Sequence, residues 1–200
     1  GIEPNPENFA LLQRNIALNG LNGRIETWHL GAADFVGETE MFLADYSNLH
    51  SFYAKQFRGR DKGHLSGKSI KVPVTTVSEF ARGKRRIELI RMDIEGYELE
   101  VIDGMEAAFR EDPEFAPTIV FETHFPKYDD TLHSLRERLR RLFDRGYRVA
   151  KVSSNDEAKS QPLRDLGYRP YRTVIAGDAT IQGLYADLAN ADAERLLCDL

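Results

Sequence analysis

The sequence predicts an α/β protein with a mostly parallel sheet that is covered by helices on both faces. Strand patterns alternate with helix patterns over much of the 200 residues, and such alternation is typical of parallel strands joined by crossover helices. A second observation is the stretch 87–104, IELIRMDIEGYELEVIDG, in which an apolar strand pattern ends at two carboxylates and passes directly into a helix pattern. In open α/β sheets, ligands bind at the carboxyl ends of such strands.

Composition narrows the class of protein. A single domain over 1–200 is the expectation for this length. The net charge of -5 argues against non-specific binding to nucleic acid or to an anionic membrane surface, and no apolar run approaches the roughly 20 residues of a membrane-spanning helix. One cysteine, Cys198, and no signal-peptide pattern favour a cytoplasmic protein.

The residues before that stretch predict a long helix followed by strands. Asn5 suits the N-cap, Pro6 the first helical position and Glu7 the positive end of the helix dipole. Gly20 is placed to end the helix. The later elements are predicted as strands at 24–30, 38–44 and 70–74, a tight loop at 31–34 and a short helix at 76–82.

The second half of the chain continues the alternation. Apolar runs predict buried strands, and leucines at helical spacing predict amphipathic helices. The predicted elements are strands at 88–93, 117–123 and 147–152, helices at 97–109 and 131–145, and weaker signals for edge strands at 172–176 and 181–185 and for a helix at 192–200.

Asp93 and Glu95 end the strand of the 87–104 stretch. Two carboxylates at one strand end repel each other unless a cation or a proton lies between them. The pair therefore suits a general base, a metal site or a cofactor contact. The alternative is structural, because acids are also favoured at a helix N-terminus.

Glu122 and His124 follow the next apolar strand and lie two residues apart, so they share a face if that strand continues. If the two strands are neighbours, both side chains approach the crevice of Asp93 and Glu95. Histidine is the usual general base near neutral pH, and a loop histidine held by a backbone partner is the alternative.

Glu3 follows the short apolar start of the chain and precedes the first predicted helix. An acid at the end of the second strand of a nucleotide-binding half accepts hydrogen bonds from ribose hydroxyls. A solvated strand-end glutamate is the alternative.

Together these segments resemble the FkbM family of S-adenosylmethionine-dependent methyltransferases. The matching segments are 2–9, 15–19, 72–77, 87–104 and 117–122. The resemblance implies a Rossmann-like class I methyltransferase sandwich, with S-adenosylmethionine as cofactor and a hydroxyl of a sugar or natural product as methyl acceptor. The family's first strand and Gly-rich loop precede the position of Glu3, so we expect this chain to lack them and to bind the cofactor poorly.

The same resemblance assigns residues to the cofactor and to the reaction. Glu3 and Asn5 would bind the cofactor's ribose side, and Asp93 would flank its methionine part. The segment Ala32, Ala33 and Asp34 would lie beside the adenine.

We hypothesise that His124 or Glu95 is the catalytic base and that Asp93 orients the acceptor or the cofactor. The irregular segment 45–69 is predicted to form part of a lid over the acceptor.

Other functions stay open from the sequence. The preferred interpretation assigns no metal, but a metal-dependent hydrolase or metal-assisted methyltransferase would find oxygen and nitrogen ligands in Asp93, Glu95, Glu122 and His124. A non-catalytic binding module is the third hypothesis, and a dehydrogenase using Glu3 ranks last. The oligomeric state is not predicted.

Overall fold

The computed structural model describes residues 1–53, 65–84, 86–124, 128, 133–177 and 179–198. The chain divides into two compact units, Gly1–Tyr128 and Asp129–Leu200, and the single domain over 1–200 stays a prediction. Both units mix helices with strands, which confirms the α/β class. No helix in the described ranges is long and apolar enough to cross a membrane.

The first unit carries the predicted site residues. In chain order its elements are α1 Pro6–Leu18, β1 Gly31–Ala32, β2 Gly37–Ala44, β3 Leu65–Thr75, α2 Val77–Ala81, β4 Leu89–Met92, α3 Glu98–Asp103, α4 Glu106–Glu111 and β5 Thr118–Phe121. The α1 prediction is confirmed: the side chain of Asn5 accepts hydrogen bonds from the first turn, and Pro6 opens the helix. Gly20, just beyond it, has the left-handed φ of 64° that suits glycine.

The strand predicted at 24–30 is wrong apart from one bridge. Trp28 pairs with Ile2 in parallel orientation, and its backbone N–H donates to Gly1 at 2.8 Å. A strand needs a hydrogen-bonding partner along its whole length. Here the first residues of the chain pair with this segment only at the Ile2–Trp28 bridge. The loop predicted at 31–34 is also partly wrong, because β1 pairs in parallel with the end of β3.

β2 and β3 form an antiparallel hairpin that runs from Gly37 opposite Val74 to Ala44 opposite Leu65. β3 therefore begins five residues before the predicted strand at 70–74. Its early residues are mostly exposed and polar, so they give no apolar signal. The start of the proposed lid segment, up to residue 53, is described, whereas 54–64 lie outside the described residues.

β4 and β5 pair in parallel from Leu89 opposite Thr118 to Met92 opposite Phe121. This confirms that the strands carrying the predicted site are neighbours. β5 was predicted to be buried on both faces, but Val120 is 48% exposed and Leu89 on the adjacent strand is 58% exposed. The described strands of this unit lie in two sheets, β1-β3-β2 and β4-β5, so the single parallel sheet with helices on both faces stays a prediction.

The helix predicted at 97–109 is divided into α3 and α4 at Gly104. A side chain at Gly104 would overlap the carbonyl oxygen of Ala33. The carbonyl of Gly104 accepts hydrogen bonds from the backbone N–H and the hydroxyl of Ser78, at 3.0 and 2.7 Å. These tertiary contacts compete with the regular helix ladder, which explains the break.

The second unit contains α5 Leu135–Asp144, β6 Val149–Ser153, a 3₁₀ turn Glu157–Lys159, α6 Gln161–Asp165, β7 Arg172–Ile175, β8 Ile181–Leu188 and α7 Asn190–Cys198. β8 lies between β6 and β7 and pairs antiparallel with both. The prediction of β8 as an edge strand is therefore wrong. Its inward residue Tyr185 is fully buried and belongs to a core cluster that includes Leu163 and Leu188.

Candidate functional site

The site lies where β4 and β5 end. Because the last register pair joins Met92 to Phe121, Asp93 and Glu122 follow at the same edge of the sheet. The parallel pairing thus brings the acidic end of one strand beside the Glu122–His124 end of the other. This is the edge at which α/β proteins bind ligands.

A left-handed turn redirects the chain from β4 into α3. Glu95 has a φ of 56° and Gly96 a φ of 95°. Glycine adopts this conformation freely, whereas a side chain in it costs roughly 1 kcal/mol. The turn lets two carboxylates, Glu95 and Glu98, approach the end of β5 from the start of the helix.

Glu98 is the buried centre of the cluster. Its side chain is 0% exposed and receives hydrogen bonds from the Tyr128 hydroxyl at 2.8 Å and the Gly96 backbone N–H at 3.2 Å. Nδ1 of His124 lies 3.0 Å from the same carboxylate. Burial raises the pKa of Glu98, but the hydrogen bonds from His124, the backbone and Tyr128 outweigh it, so the pKa lies below its usual value.

His124 is held in one orientation by this carboxylate. Because an ionised carboxylate accepts and cannot donate, Nδ1 of His124 carries the proton of that hydrogen bond. The lone pair of a neutral ring is then on Nε2, which lies 3.7 Å from Oε2 of Glu95. The partner of Nδ1 is thus a carboxylate.

Asp93, Glu122 and His124 also form a cluster of possible metal ligands. One ligand atom from each lies within 4.8 Å of the others. Asp93 and Glu122 are exposed, and Oδ2 of Asp93 pairs with Arg91 at 3.0 Å. The structure therefore brings together the residues that the sequence placed at the two strand ends, with His124 common to both groupings.

Glu3 and Asn5 lie at the other predicted position, before α1. Oε1 of Glu3 accepts the backbone N–H of Asn5 at 2.7 Å, and burial raises the pKa of Glu3. Asn5 is 4% exposed, and its Oδ1 caps α1 by accepting from Glu7 and Asn8 at 2.9 and 3.0 Å. The side-chain oxygen of Asn5 is thus committed to the helix, while its role towards a cofactor stays a prediction.

The segment 32–34, predicted to lie beside the adenine, has both buried and exposed residues. Ala32 lies in β1, Ala33 is fully buried with its N–H bonded to Thr75 at 2.9 Å, and Asp34 is exposed. Backbone pairing therefore fixes the segment to β3, and the carboxylate of Asp34 is the group that it presents to solvent.

An aromatic and acidic group lies near this segment and was not foreseen. The Tyr53 hydroxyl donates to Glu100, and the Tyr53 and Tyr97 rings are 5.4 Å apart. Burial raises the pKa of Glu100 to about 7, although the hydrogen bond from Tyr53 opposes the shift. Burial raises the pKa of Tyr97 as well, and the negative charges of Glu100 and Asp34 add to that shift. The charge of Asp34 also adds to the raised pKa of Glu100.

Sequence reasoning also missed Glu98. Glu98 lies within the 87–104 stretch, but the sequence pattern predicts no role for it. An acid three residues after Glu95, at the first turn of an apolar helix, is the available signal, because such a side chain needs buried partners. The partners, Tyr128 and His124, are 26 to 30 residues away and cannot be read from local pattern.

The sequence matches a known protein family. The sequence model of the methyltransferase FkbM domain matches residues 1–149, which include the first unit and extend through α5 to the first residue of β6. The chain belongs to the FkbM methyltransferase family, and its reaction class is methyl transfer. No curated protein and no solved structure showed a significant match to the chain.

Proposed function

We propose that the protein is an S-adenosylmethionine-dependent methyltransferase that methylates a hydroxyl oxygen of a small molecule, either a sugar or a natural product. The family match supports methyl transfer. The site supports an acceptor that must lose a proton, because a histidine and several carboxylates meet at the ligand-binding edge. The net charge of -5 supports a small acceptor over nucleic acid.

The observation that carries the proposal is the 3.0 Å contact between buried Glu98 and Nδ1 of His124. A buried anion on one ring nitrogen fixes the orientation of the ring. It also stabilises the positive charge that the ring gains when Nε2 takes up a proton. A general base needs both properties. Glu95, 3.7 Å from Nε2, is the alternative base.

The chain's own residues have distinct parts in the proposed reaction. S-adenosylmethionine supplies the methyl group on a sulfonium, and the protein mainly aligns the acceptor with it. Nε2 of His124 or the carboxylate of Glu95 accepts the proton of the acceptor hydroxyl. Asp93 orients the acceptor or the cofactor from the end of β4.

The residues before α1 fit the cofactor's ribose. Glu3 is half-buried, and a carboxylate that accepts one backbone N–H retains further acceptor capacity for hydroxyl groups. The exposed carboxylate of Asp34 suits the amino group of an adenine. Asn5 contributes to cofactor binding by fixing the start of α1. Ala32 and Ala33 contribute by fixing the backbone that leads to Asp34.

The class I sandwich is part of the proposal. Three parallel pairings support it: the bridge of Ile2 with Trp28, β1 with β3, and β4 with β5. Each has the orientation that a doubly wound sheet requires.

Methyl transfer from labelled S-adenosylmethionine tests the proposal directly. The product of the complete coding sequence is offered a panel of free sugars and hydroxylated natural products. We expect labelled product with at least one acceptor, and a 10²-fold or greater loss of rate in either His124→Ala or Glu95→Gln. Glu88→Gln, an exposed carboxylate at the opposite end of β4, is the matched control.

Two results would overturn parts of the proposal. Wild-type rates in both variants would remove the assigned bases. Neither transfer nor binding of S-adenosylhomocysteine would instead favour a non-catalytic module on this fold.

A further inference from the structure

We infer that Asp93, Glu122 and His124 form a binding site for one divalent cation that accepts both carboxylate and imidazole ligands, of the Mn²⁺ or Zn²⁺ type. Carboxylates favour Mn²⁺, and imidazole is accepted by both ions. The three residues come from the ends of two adjacent parallel strands, so the backbone of the sheet fixes their relative position.

The distances fit a metal site that needs little rearrangement. Metal–ligand bonds of about 2.0–2.2 Å in a tetrahedral arrangement place neighbouring ligand atoms about 3.3–3.6 Å apart. The ligand atoms of the three residues already lie within 4.8 Å of one another. Movement of the exposed Asp93 and Glu122 carboxylates by about 1 Å, through side-chain rotation, closes the remaining gap.

The surroundings of His124 fit a metal ligand. A ligating histidine usually donates its other ring N–H to a carboxylate, which fixes the tautomer and turns the lone pair towards the metal. Glu98 provides this contact at 3.0 Å, and its own position is fixed by Tyr128 at 2.8 Å. A cation at Nε2 would therefore meet a ring that is already oriented.

The charges at the edge also favour a cation. Asp93, Glu122 and Glu95 approach His124, and neighbouring carboxylates repel one another unless positive charge compensates them. Arg91 supplies part of that charge to Oδ2 of Asp93, at a position where the arginine side chain is 65% exposed. An exposed ion pair of this kind contributes about 0–1 kcal/mol, so a cation displaces it at small cost.

The site deepens the proposed function, on which its role in the reaction rests. A bound cation would lower the pKa of an acceptor hydroxyl that it contacts. His124 is then a ligand, and the proton passes to Glu95, which resolves the choice between the two bases. Binding of the cation itself does not depend on methyl transfer.

The test measures Mn²⁺ binding to the full chain through the loss of the free-ion signal in electron paramagnetic resonance. We expect one site, with affinity lowered about tenfold or more in Asp93→Asn and in Glu122→Gln, and about tenfold in Glu98→Gln, which leaves the ligands in place. Glu88→Gln, an exposed carboxylate at the other end of β4, is expected to bind as wild type. Thermal unfolding of each variant establishes that it is folded.

The inference is overturned if wild type binds Mn²⁺ no more tightly than the Asp93→Asn, Glu122→Gln double variant, or if Glu88→Gln weakens binding equally. Methyl transfer that persists in chelator while Mn²⁺ fails to bind overturns the site and leaves the proposed function standing. Mn²⁺ binding without any methyl transfer supports the site and removes the proposed function. Mn²⁺ binding with a transfer rate unchanged by chelator overturns the assigned role in the reaction.

Discussion

The Glu98 carboxylate, fully buried at the start of α3, lies 3.0 Å from Nδ1 of His124 at the end of β5. The contact joins the helix that follows one strand to the loop that follows its neighbour. It turns two strand ends into a single site and leaves Nε2 of His124 directed at Glu95, 3.7 Å away.

Replacing Glu98 separates its positioning role from its structural role. Glu98→Gln keeps the size of the side chain but removes the charge, so the imidazole loses its fixed tautomer. We expect kcat to fall about 10–100-fold with little change in the KM for S-adenosylmethionine. Nitrogen NMR of His124 should show a mixture of tautomers in Glu98→Gln and a single Nδ1–H form in wild type.

Glu98→Ala is the harsher variant. It removes the Glu98 acceptor of the His124 N–H and of the Tyr128 hydroxyl, which costs about 1–3 kcal/mol of unfolding free energy.

Glu114→Gln, a substitution of an exposed carboxylate outside the cluster, is the control and should change neither the rate nor the His124 tautomer. A single Nδ1–H tautomer in Glu98→Gln would contradict the positioning role.

Glu100 predicts a pH-dependent stability. Burial raises its pKa from 4.5 to about 7 in the folded chain, so the folded state holds the proton more tightly than the unfolded state does. The stabilisation is complete below pH 4.5 and is lost as the pH rises towards 7, on the order of 3 kcal/mol in all. Glu100→Gln, whose amide oxygen still accepts from Tyr53, should lack this component.

The comparison is made by urea unfolding of both proteins at pH 4.5, 5.5, 6.5 and 7.5. Wild type should lose stability relative to Glu100→Gln as the pH rises across this range. A constant difference between the two proteins would show that Glu100 titrates alike in the folded and unfolded chains.

The Asn5 cap is expected to stabilise α1 through its side-chain oxygen, whether or not the side chain is charged. Asn5→Ala removes the acceptor for the first N–H groups of α1 and should cost about 1 kcal/mol. Asn5→Asp keeps the cap and should lie close to wild type. Equal loss of stability in both variants, measured by urea unfolding, would argue that the side-chain nitrogen of Asn5, and not its oxygen, carries the contribution.

Gly104 predicts a steric effect. Gly104→Ala forces a Cβ against the Ala33 carbonyl, where β1 meets the α3–α4 junction, and should cost about 1–3 kcal/mol. Gly177→Ala meets open space and is expected to stay within about 0.5 kcal/mol of wild type. Equal unfolding midpoints for the two variants would rule out the close approach.

The elements that the sequence predicted well carry their signal locally. α1 has its own cap and proline, and β4 and β5 are apolar runs that end at chemistry-bearing residues. The missed features depend on distant partners: β3 extends into polar residues because β2 pairs with it, and α3 ends because Ser78 contacts Gly104. Such contacts leave no local pattern.

The same distinction applies to the site. Asp93, Glu95, Glu122 and His124 were predicted because strand ends of parallel neighbours meet at one edge. Glu98 was overlooked because a carboxylate in the first turn of a helix reads as a favourable dipole interaction. Its burial by Tyr128 and His124 appears only once the chain has folded.

The central claim is that the protein binds S-adenosylmethionine, and calorimetric titration with S-adenosylhomocysteine tests it most directly. Using the product of the complete coding sequence, we predict saturable one-to-one binding that Glu3→Gln weakens about tenfold, because hydrogen bonds to a charged acceptor are lost. Glu38→Gln, an exposed carboxylate of β2, should bind as wild type. Absence of binding by the wild-type protein, or equal affinity in Glu3→Gln, would contradict the account.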